Sequence, residues 1–281
     1  MSFISRRRRE YIARETVRRS LGLVCEHAKE GASAFSTFIP EQLPPLDQVD
    51  CPDPFGCPIP VEVVNADTFV TARKMLNVDV EASGNVAVLN LASDFRPAGL
   101  WHHHEMEIRQ EDSLCYSSTL YITLKDNYYP IPNVGFGSTA GIHSPGVVIF
   151  RDQLDNACAE LPVEQRRVVS VISVAAPRWP ALSDDGMSLR RRTDLEDLRE
   201  KIRLVYRMAA HYGKTHLVLG AMGCGSYGCP PAQVANEMRD ILLDPEFRGW
   251  FKKIVFAVSN TSNSGPGNFD VFRNAFQGVR I

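Results

Sequence analysis

Three residues in a row, Gln110-Glu111-Asp112, carry the strongest chemical promise in this sequence. Two adjacent carboxylates at a helix start often serve only as caps and partners of the helix dipole. Partly buried beside a ligand, the same pair has another use. Desolvation raises a carboxyl pKa until the group can give and recover a proton near neutral pH. Upstream stand Trp101, then His102, His103 and His104, then Glu105 and Glu107. Neighbouring histidines in an extended segment point apart, whereas zinc takes about four convergent ligands. We therefore expect a solvated or supporting histidine cluster, no bound metal and no cofactor.

A second candidate is the run Gly220-Ala-Met-Gly-Cys-Gly-Ser-Tyr-Gly-Cys-Pro-Pro, with glycines at 220, 223, 225 and 228. Glycine lets backbone N–H groups approach an anion closely, and a helix starting just after adds a favourable dipole. No Gly-Lys-Ser/Thr follows, and the glycine spacing is not that of a dinucleotide fingerprint. The reading is a phosphate cradle, with a plain flexible turn as the alternative. Gly225, near its centre, is expected to need freedom from a Cβ. Cys224 and Cys229 have no partner pair at zinc spacing. Cys51 and Cys57 are expected to be surface thiols.

Both candidates fall where strands end. From residue 61 on, short β-branched runs alternate with helical segments. Strands are expected at Val61–Val64, Asn85–Leu91, Gly146–Phe150, Val168–Ala175, Thr215–Leu219 and Ile254–Val258. Helices are expected over Asp67–Leu76 with Asp67 as N-cap, Arg109–Tyr121, Asp194–Tyr212, Pro230 to about Leu243, and from about Phe269. Such alternation implies an α/β sandwich with a largely parallel sheet, whose ligands sit outside the carboxyl ends of strands. Residues 5–30 read as a basic amphipathic helix with Tyr11, Ile12, Val17, Leu21 and Val24 on one side. Residues 36–60 hold Pro40, Pro44, Pro45, Pro52, Pro54, Pro58 and Pro60 and read as an irregular connector. The expected division is an N-terminal helical extension with its connector over 1–60, then a catalytic domain over 61–281.

The chain of 281 residues is 44% hydrophobic and 23% charged, a globular balance. A net charge of −2 excludes a general polyanion binder, so any such recognition is local and no sequence-specific nucleic-acid partner is expected. No apolar run reaches the ~20 residues of a membrane span, and no apolar signal core follows the first arginines. Seven cysteines, an odd number, do not form a disulfide framework. The expectation is a monomer with reduced thiols inside the cell, cytoplasmic or nuclear. Arg6 to Arg9 with Arg14, Arg18 and Arg19 are either a solvated helix face or a contact for a polyanion or for nuclear import.

Asn90-Leu-Ala-Ser, then Pro97-Ala-Gly-Leu, then Gln110-Glu-Asp-Ser-Leu-Cys-Tyr-Ser-Ser-Thr-Leu-Tyr resemble the signature of the bacterial-type poly(ADP-ribose) glycohydrolases, in the macrodomain superfamily. Val61-Glu-Val-Val-Asn-Ala-Asp-Thr, Val148-Ile-Phe-Arg-Asp, Val174-Ala-Ala-Pro and the Gly-Cys-Gly loop are similar to further family segments in the same order, so the resemblance spans about residues 5–278. Three departures stand out. Ala98-Gly99-Leu100 replaces a triple glycine, the stretch to the triplet is longer and rich in histidine, and Gln-Glu-Asp replaces Gln-Glu-Glu.

The resemblance implies a three-layer α/β/α macrodomain-like sandwich with a mixed, largely parallel sheet and an N-terminal helical extension. It also implies cleavage of the ribose–ribose O-glycosidic bonds of poly(ADP-ribose), carried on ADP-ribosylated proteins, with ADP-ribose as product. Asp112 would be the general acid/base, Glu111 would bond ribose hydroxyls, and Asn90 would orient the distal ribose. Gln110 joins the binding set. Pro97, Ala98, Gly99 and Leu100 would face the diphosphate together with Gly223, Cys224, Gly225, Ser226, Tyr227 and Gly228. Phe269 is a candidate to stack on adenine, or else a core residue at a helix start. Aspartate is one methylene shorter than glutamate, and a misplacement of ~1 Å can lower a rate ~10²-fold. A binding-only reader of ADP-ribose is therefore the alternative, and hydrolysis of a small derivative such as the 1″-phosphate a third reading.

Overall fold

Seven strands form one sheet in the computed structural model, which describes residues 4–99, 101, 108–260 and 267–281. They are β1 (Thr37–Ile39), β2 (Val61–Val64), β3 (Val86–Leu91), β4 (Gly141–Ile149), β5 (Arg167–Val174), β6 (His216–Leu219) and β7 (Lys253–Ala257). The helices are α1 (Arg6–Glu26), α2 (Thr68–Val78), α3 (Gln110–Ser117), α4 (Arg192–His211), α5 (Pro231–Leu242) and α6 (Asn268–Ala275). The strand order is β1-β4-β5-β3-β6-β7-β2. β5, β3, β6, β7 and β2 run parallel, and β4 and β1 join antiparallel at one edge.

Period-two alternation builds the layers. Ala87 and Leu89 of β3, Leu217 and Leu219 of β6, and Ile254 and Phe256 of β7 meet α4, α5 and α6 in one core. Val86, Val88, Val218 and Val255 point the other way and meet α1, α2 and α3 in a second core. The three-layer, mixed and largely parallel arrangement is the one expected. Asp67 caps α2 as expected, its carboxylate accepting from the N–H groups of Phe69 and Val70 at 2.8 and 3.0 Å.

Five expectations change. Residues 37–39, expected as connector, form β1; three residues on an edge are too short to show a period. β4 begins five residues earlier than Gly146, because Pro145-Gly146 interrupts the apolar run where its register against β5 shifts. A Cβ at Gly146 would lie 2.1 Å from the Gly31 carbonyl oxygen, so the glycine lets the 31–33 turn touch the strand. α3 stops at Ser117 rather than Tyr121. There the hydroxyls of Ser117 and Ser118 turn back onto the carbonyls of Ser113 and Leu114, the competition through which serine ends helices.

α1 also presents a different face. Ile12 is buried, but Tyr11, Val17 and Leu21 lie in solvent, while Arg9, Ala13, Thr16, Ser20 and Leu23 pack inward. Small residues bring this helix close to α3 and β4, and the Arg151 guanidinium bonds Thr16 Oγ1 and the Ile12 carbonyl beneath it. Cys51, expected at the surface, is buried, its thiol donating to the Arg248 carbonyl at 3.4 Å. Cys57 is exposed. Among the described residues no helix is long and apolar enough to cross a membrane.

Candidate active site

The carboxyl ends of β3, β5 and β6 meet at one cleft, and the sequence candidates gather there. Gln110 is the hinge of the arrangement. Its amide oxygen accepts from Leu91 N–H at 2.9 Å and its NH2 donates to the Leu89 carbonyl at 2.8 Å. Both ends of its amide are thus bonded to β3 backbone, which fixes the start of α3 against the strand end. Gln110 positions the carboxyl pair that follows it.

Glu111 is 3% exposed. Asn90 Nδ2 donates to its Oε1 and Ser93 N–H to its Oε2, each at 3.0 Å. Burial pushes this carboxyl up to about 8, against the lowering pull of those two donors. At neutral pH it therefore holds a proton while standing in a polar frame. Asn90, wholly buried, also donates to Ser173 Oγ on β5 at 3.0 Å. Its Oδ1 is buried with no hydrogen-bond partner among the described residues. Such an atom is unfavourable unless a donor reaches it, and a ligand hydroxyl is the kind of group that would.

Asp112 is also buried, and its Oδ2 accepts from Arg109 N–H at 2.9 Å, closing the first turn of α3. Neighbouring carboxyls on one turn therefore sit in different surroundings. Glu111 is held by β3 and the loop after it, and Asp112 by the backbone of its own helix start.

The turn after β3 takes a left-handed backbone at Ala98 as well as at Gly99. Ala98 has φ 51° and Gly99 φ 53°; for alanine this conformation is disfavoured by roughly 1–2 kcal/mol. Gly99 N–H donates to the Arg96 carbonyl and Trp101 N–H to the Ala98 carbonyl, so this turn is built by its own backbone. Pro97, Ala98 and Gly99 are buried. Leu100 and His102–His104, with Glu105 and Glu107, lie outside the described residues.

The loop after β6 faces it. Gly223 and Gly228 take positive φ, 74° and 72°. A Cβ at Gly223 would come 2.6 Å from Ala176 Cβ and 2.8 Å from Cys229 Sγ. Gly225 differs from expectation. Its φ is not positive, and a Cβ there would meet open space among the described residues. The fold needs glycine at 223 and 228, so a demand at 225 has to come from whatever the cleft binds. The N–H groups of Gly225 and Tyr227 donate to no described residue.

Asp94 and Arg109, which sequence reasoning passed over, tie the loops together through the expected residues Tyr227 and Ser226. Tyr227 OH donates to Asp94 Oδ1 at 2.7 Å. Arg109 Nε donates to Ser226 Oγ at 3.2 Å, while its Nη1 lies 3.5 Å from where a Gly99 Cβ would stand. A guanidinium thus lies between the two glycine-bearing loops. Its only sequence signal was a lone cation next to the triplet. Ser93 closes the Asn-Leu-Ala-Ser string and was legible there. The Asp94–Tyr227 pair spans two distant loops and left no local trace.

Cys224 lies within the second loop, its carbonyl accepting from Asn268 Nδ2 at 3.3 Å, which brings the start of α6 alongside. Phe269 follows, half-buried against the core, with the Arg273 guanidinium 5.2 Å from its ring centroid. Among the described residues no three histidine, cysteine or acidic side chains converge as a metal-binding group.

Known proteins of one family are similar to this chain. The family model for the catalytic domain of microbial-type PARG matches residues 5–152, more than half of the chain. The crystal structure of poly(ADP-ribose) glycohydrolase from Thermomonospora curvata is similar with a TM-score of 0.75 at 29% identity, over 95% of this chain and 98% of that one. The same enzyme bound to the inhibitor ADP-HPD gives 0.74 at 30% identity, over 95% and 98%. The poly(ADP-ribose) glycohydrolase of Deinococcus radiodurans in complex with ADP-ribose gives 0.63 at 33% identity, over 78% of this chain and 84% of that one. A search of curated protein sequences found no match. With a family model over half its length and a third of its residues shared across most of the fold, the chain belongs to the microbial-type poly(ADP-ribose) glycohydrolases.

Proposed function

We infer that this protein hydrolyses poly(ADP-ribose), releasing ADP-ribose from the ribose–ribose O-glycosidic bond. One observation carries the reading: a desolvated carboxyl pair, Glu111 and Asp112, at the foot of a cleft whose walls offer glycine backbone and a guanidinium. Cleavage of a glycosidic bond passes through an oxocarbenium-like state and needs a proton for the leaving oxygen, then a water for the anomeric carbon. A carboxylic acid gives its proton to the leaving 2′-oxygen as the bond to the anomeric carbon breaks. The resulting carboxylate takes a proton from the attacking water, and the acid is restored.

By position in the triplet, Asp112 is the proton donor and Glu111 holds ribose hydroxyls together with Asn90 Oδ1. A second assignment, Glu111 as donor, is favoured by its burial and its proton at neutral pH. The loops at 97–100 and 223–228, with Arg109, would hold the diphosphate, and Phe269 the adenine. The organisation as an N-terminal extension over 1–60 and a catalytic domain over 61–281, a monomeric state inside the cell, and ADP-ribosylated proteins as carriers of the substrate belong to the same proposal.

The alternative function is a reader that binds ADP-ribose without cleaving it. It is favoured by the shorter Asp112, whose Oδ2 is engaged in its own helix turn. Incubation with labelled polymer decides. Release of ADP-ribose supports the hydrolase, and tight polymer binding with no release supports the reader.

A further inference from the structure

Beside the cleft, cations and aromatic rings alternate across two loops. The Arg96 guanidinium lies 5.0 Å from the Phe95 ring centroid. Arg178 lies 5.9 Å from the same ring and 5.2 Å from that of Trp179. Phe95 and Arg96 follow β3, and Arg178 and Trp179 follow β5, so the row joins two neighbouring strand ends.

Trp179 is 73% exposed, yet it is firmly held. Its φ is 50°, an outlier for so bulky a residue. Its backbone N–H donates to the Tyr227 carbonyl and its indole N–H to the Ser226 carbonyl, both at 2.8 Å. The loop beneath is anchored too. Arg178 N–H donates to Asn133 Oδ1 at 2.7 Å, and the buried Lys201 ammonium bonds the Asn133 and Ala175 carbonyls at 2.7 and 2.9 Å. An indole with its one polar atom bonded and its ring in solvent is a stacking surface already in place, for which a ligand loses little freedom.

Location decides what would stack there. In the order β5-β3-β6-β7, the cleft lies between the loops after β3 and β6. Phe269 follows β7 on one side, and Trp179 follows β5 on the other. With adenine at the Phe269 end, the distal ribose lies by Asn90 and Ser173, and a polymer would continue past β5. The next unit there presents an adenine face and a diphosphate, the two features that a ring beside a guanidinium recognises.

We propose that Trp179, Arg178, Phe95 and Arg96 form a second subsite that holds the neighbouring ADP-ribose unit of a polymer, on the leaving-group side of the bond to be cleaved. This rests on reading the cleft as the ADP-ribose site. Free ADP-ribose does not reach the subsite, so polymer and monomer respond differently to its loss.

The test compares the affinity for long polymer, and KM where turnover is measured, with the Kd of ADP-ribose in the full chain. Trp179→Ala should weaken polymer binding about tenfold, the order of one lost base–aromatic stack, beyond any change in the ADP-ribose Kd that comes with losing the indole's bond to Ser226. Trp179→Phe keeps a ring but loses the tie to Ser226, and should retain most of the polymer affinity. Arg96→Ala should weaken polymer binding less and reduce its salt dependence. Polymer affinity unchanged in Trp179→Ala overturns the subsite. An equal loss of ADP-ribose affinity in Trp179→Ala that Trp179→Phe does not share also overturns it, by assigning the ring to the first cleft. A wild-type chain that neither binds ADP-ribose nor acts on polymer removes the cleft reading and this subsite with it, before any variant is compared.

Discussion

The two loops that face each other across the cleft are made by opposite means. The end of β3 with the start of α3 is a frame of polar side chains, in which Asn90 and the Ser93 N–H hold Glu111, while Gln110 and Asp112 bond the backbone N–H groups of Leu91 and Arg109. The loop after β6 is mostly backbone, with Gly225 and Gly228 exposed. A frame of side chains sets protonation and is sensitive to the exchange of one atom. A loop of backbone sets shape and is sensitive to the addition of one Cβ. Substitutions that change one property at a time should therefore separate chemistry from binding along the same line.

The largest effect is expected at the carboxyl pair. Asp112→Asn keeps an oxygen to accept from Arg109 N–H but cannot give up a proton. Turnover of polymer should fall by the ~10²–10⁴-fold typical of a lost general acid, with ADP-ribose binding kept. Glu111→Gln is a harsher change than it looks. Asn90 Nδ2 and Ser93 N–H both donate to the present carboxyl, so an amide NH2 must face one of them, and some stability should be lost as well. Full turnover in Asp112→Asn combined with loss in Glu111→Gln would transfer the proton to Glu111. Rates from single-turnover experiments with labelled polymer make the distinction.

Glycine positions come next. Gly225→Val should leave the melting temperature nearly unchanged, because the added atoms meet open space. It should lower ADP-ribose affinity about a hundredfold if two phosphate-facing N–H groups are blocked, since bonds to charged groups contribute ~1.5–3 kcal/mol each. Gly223→Val should instead unsettle the loop itself, through both its positive φ and the contact with Ala176. Calorimetry alongside thermal melting separates the two. Unaltered affinity in Gly225→Val would reduce the loop to a turn.

Arg109 bridges both halves and should have an intermediate effect. Arg109→Ala removes the guanidinium between the loops and should weaken ADP-ribose binding about tenfold, as one charge-assisted contact would. Adenosine, which has no diphosphate, should bind as it does to the wild type. Equal weakening for both ligands would mean that Arg109 supports the walls of the cleft and not the anion.

The same contrast explains what the sequence could tell. The parallel strands are buried on both faces, so Val86–Leu91 and Arg167–Val174 are dominated by apolar residues, broken only by Asn90, Arg167, Ser170 and Ser173, and read as strands with small boundary errors. Asp67 announced α2 through a cap whose mechanism is local. The triplet and the glycine loop were visible because their chemistry is written in adjacent residues. Arg109, Asp94 and Trp179 were not, because each acts on a partner in a distant loop. The buried face of α1 was misread because close packing there uses Ala13, Thr16 and Ser20, which carry little apolar signal. β1 was hidden by its length.

The smallest expected effect is on stability, and it tests the frame around Glu111 without any ligand. Its folded pKa of about 8 lies above the ordinary 4.5, so the native state keeps a proton that the unfolded chain has lost across that interval. The stabilisation is complete below about 4.5 and lost as pH rises through 8. Two other buried groups bracket the useful window. His143 is depressed to about 4 from 6.5 by burial, so its effect is confined to pH below 6.5, where acid destabilises. Lys201 is depressed to about 8 from 10.5 by burial, so it adds stability only as pH rises above 8. Between pH 6.5 and 8 Glu111 therefore acts alone among these three. One proton contributes at most ~1.4 kcal/mol per pH unit, which for a domain of this size means a fall in melting temperature of a few °C, on the order of 2–4 °C per kcal/mol. The wild type should show that decline and Glu111→Gln, which has no proton to lose, should show a flatter one. Parallel curves for the two chains would mean that Glu111 is ionised in its pocket, and would leave the role of acid to Asp112.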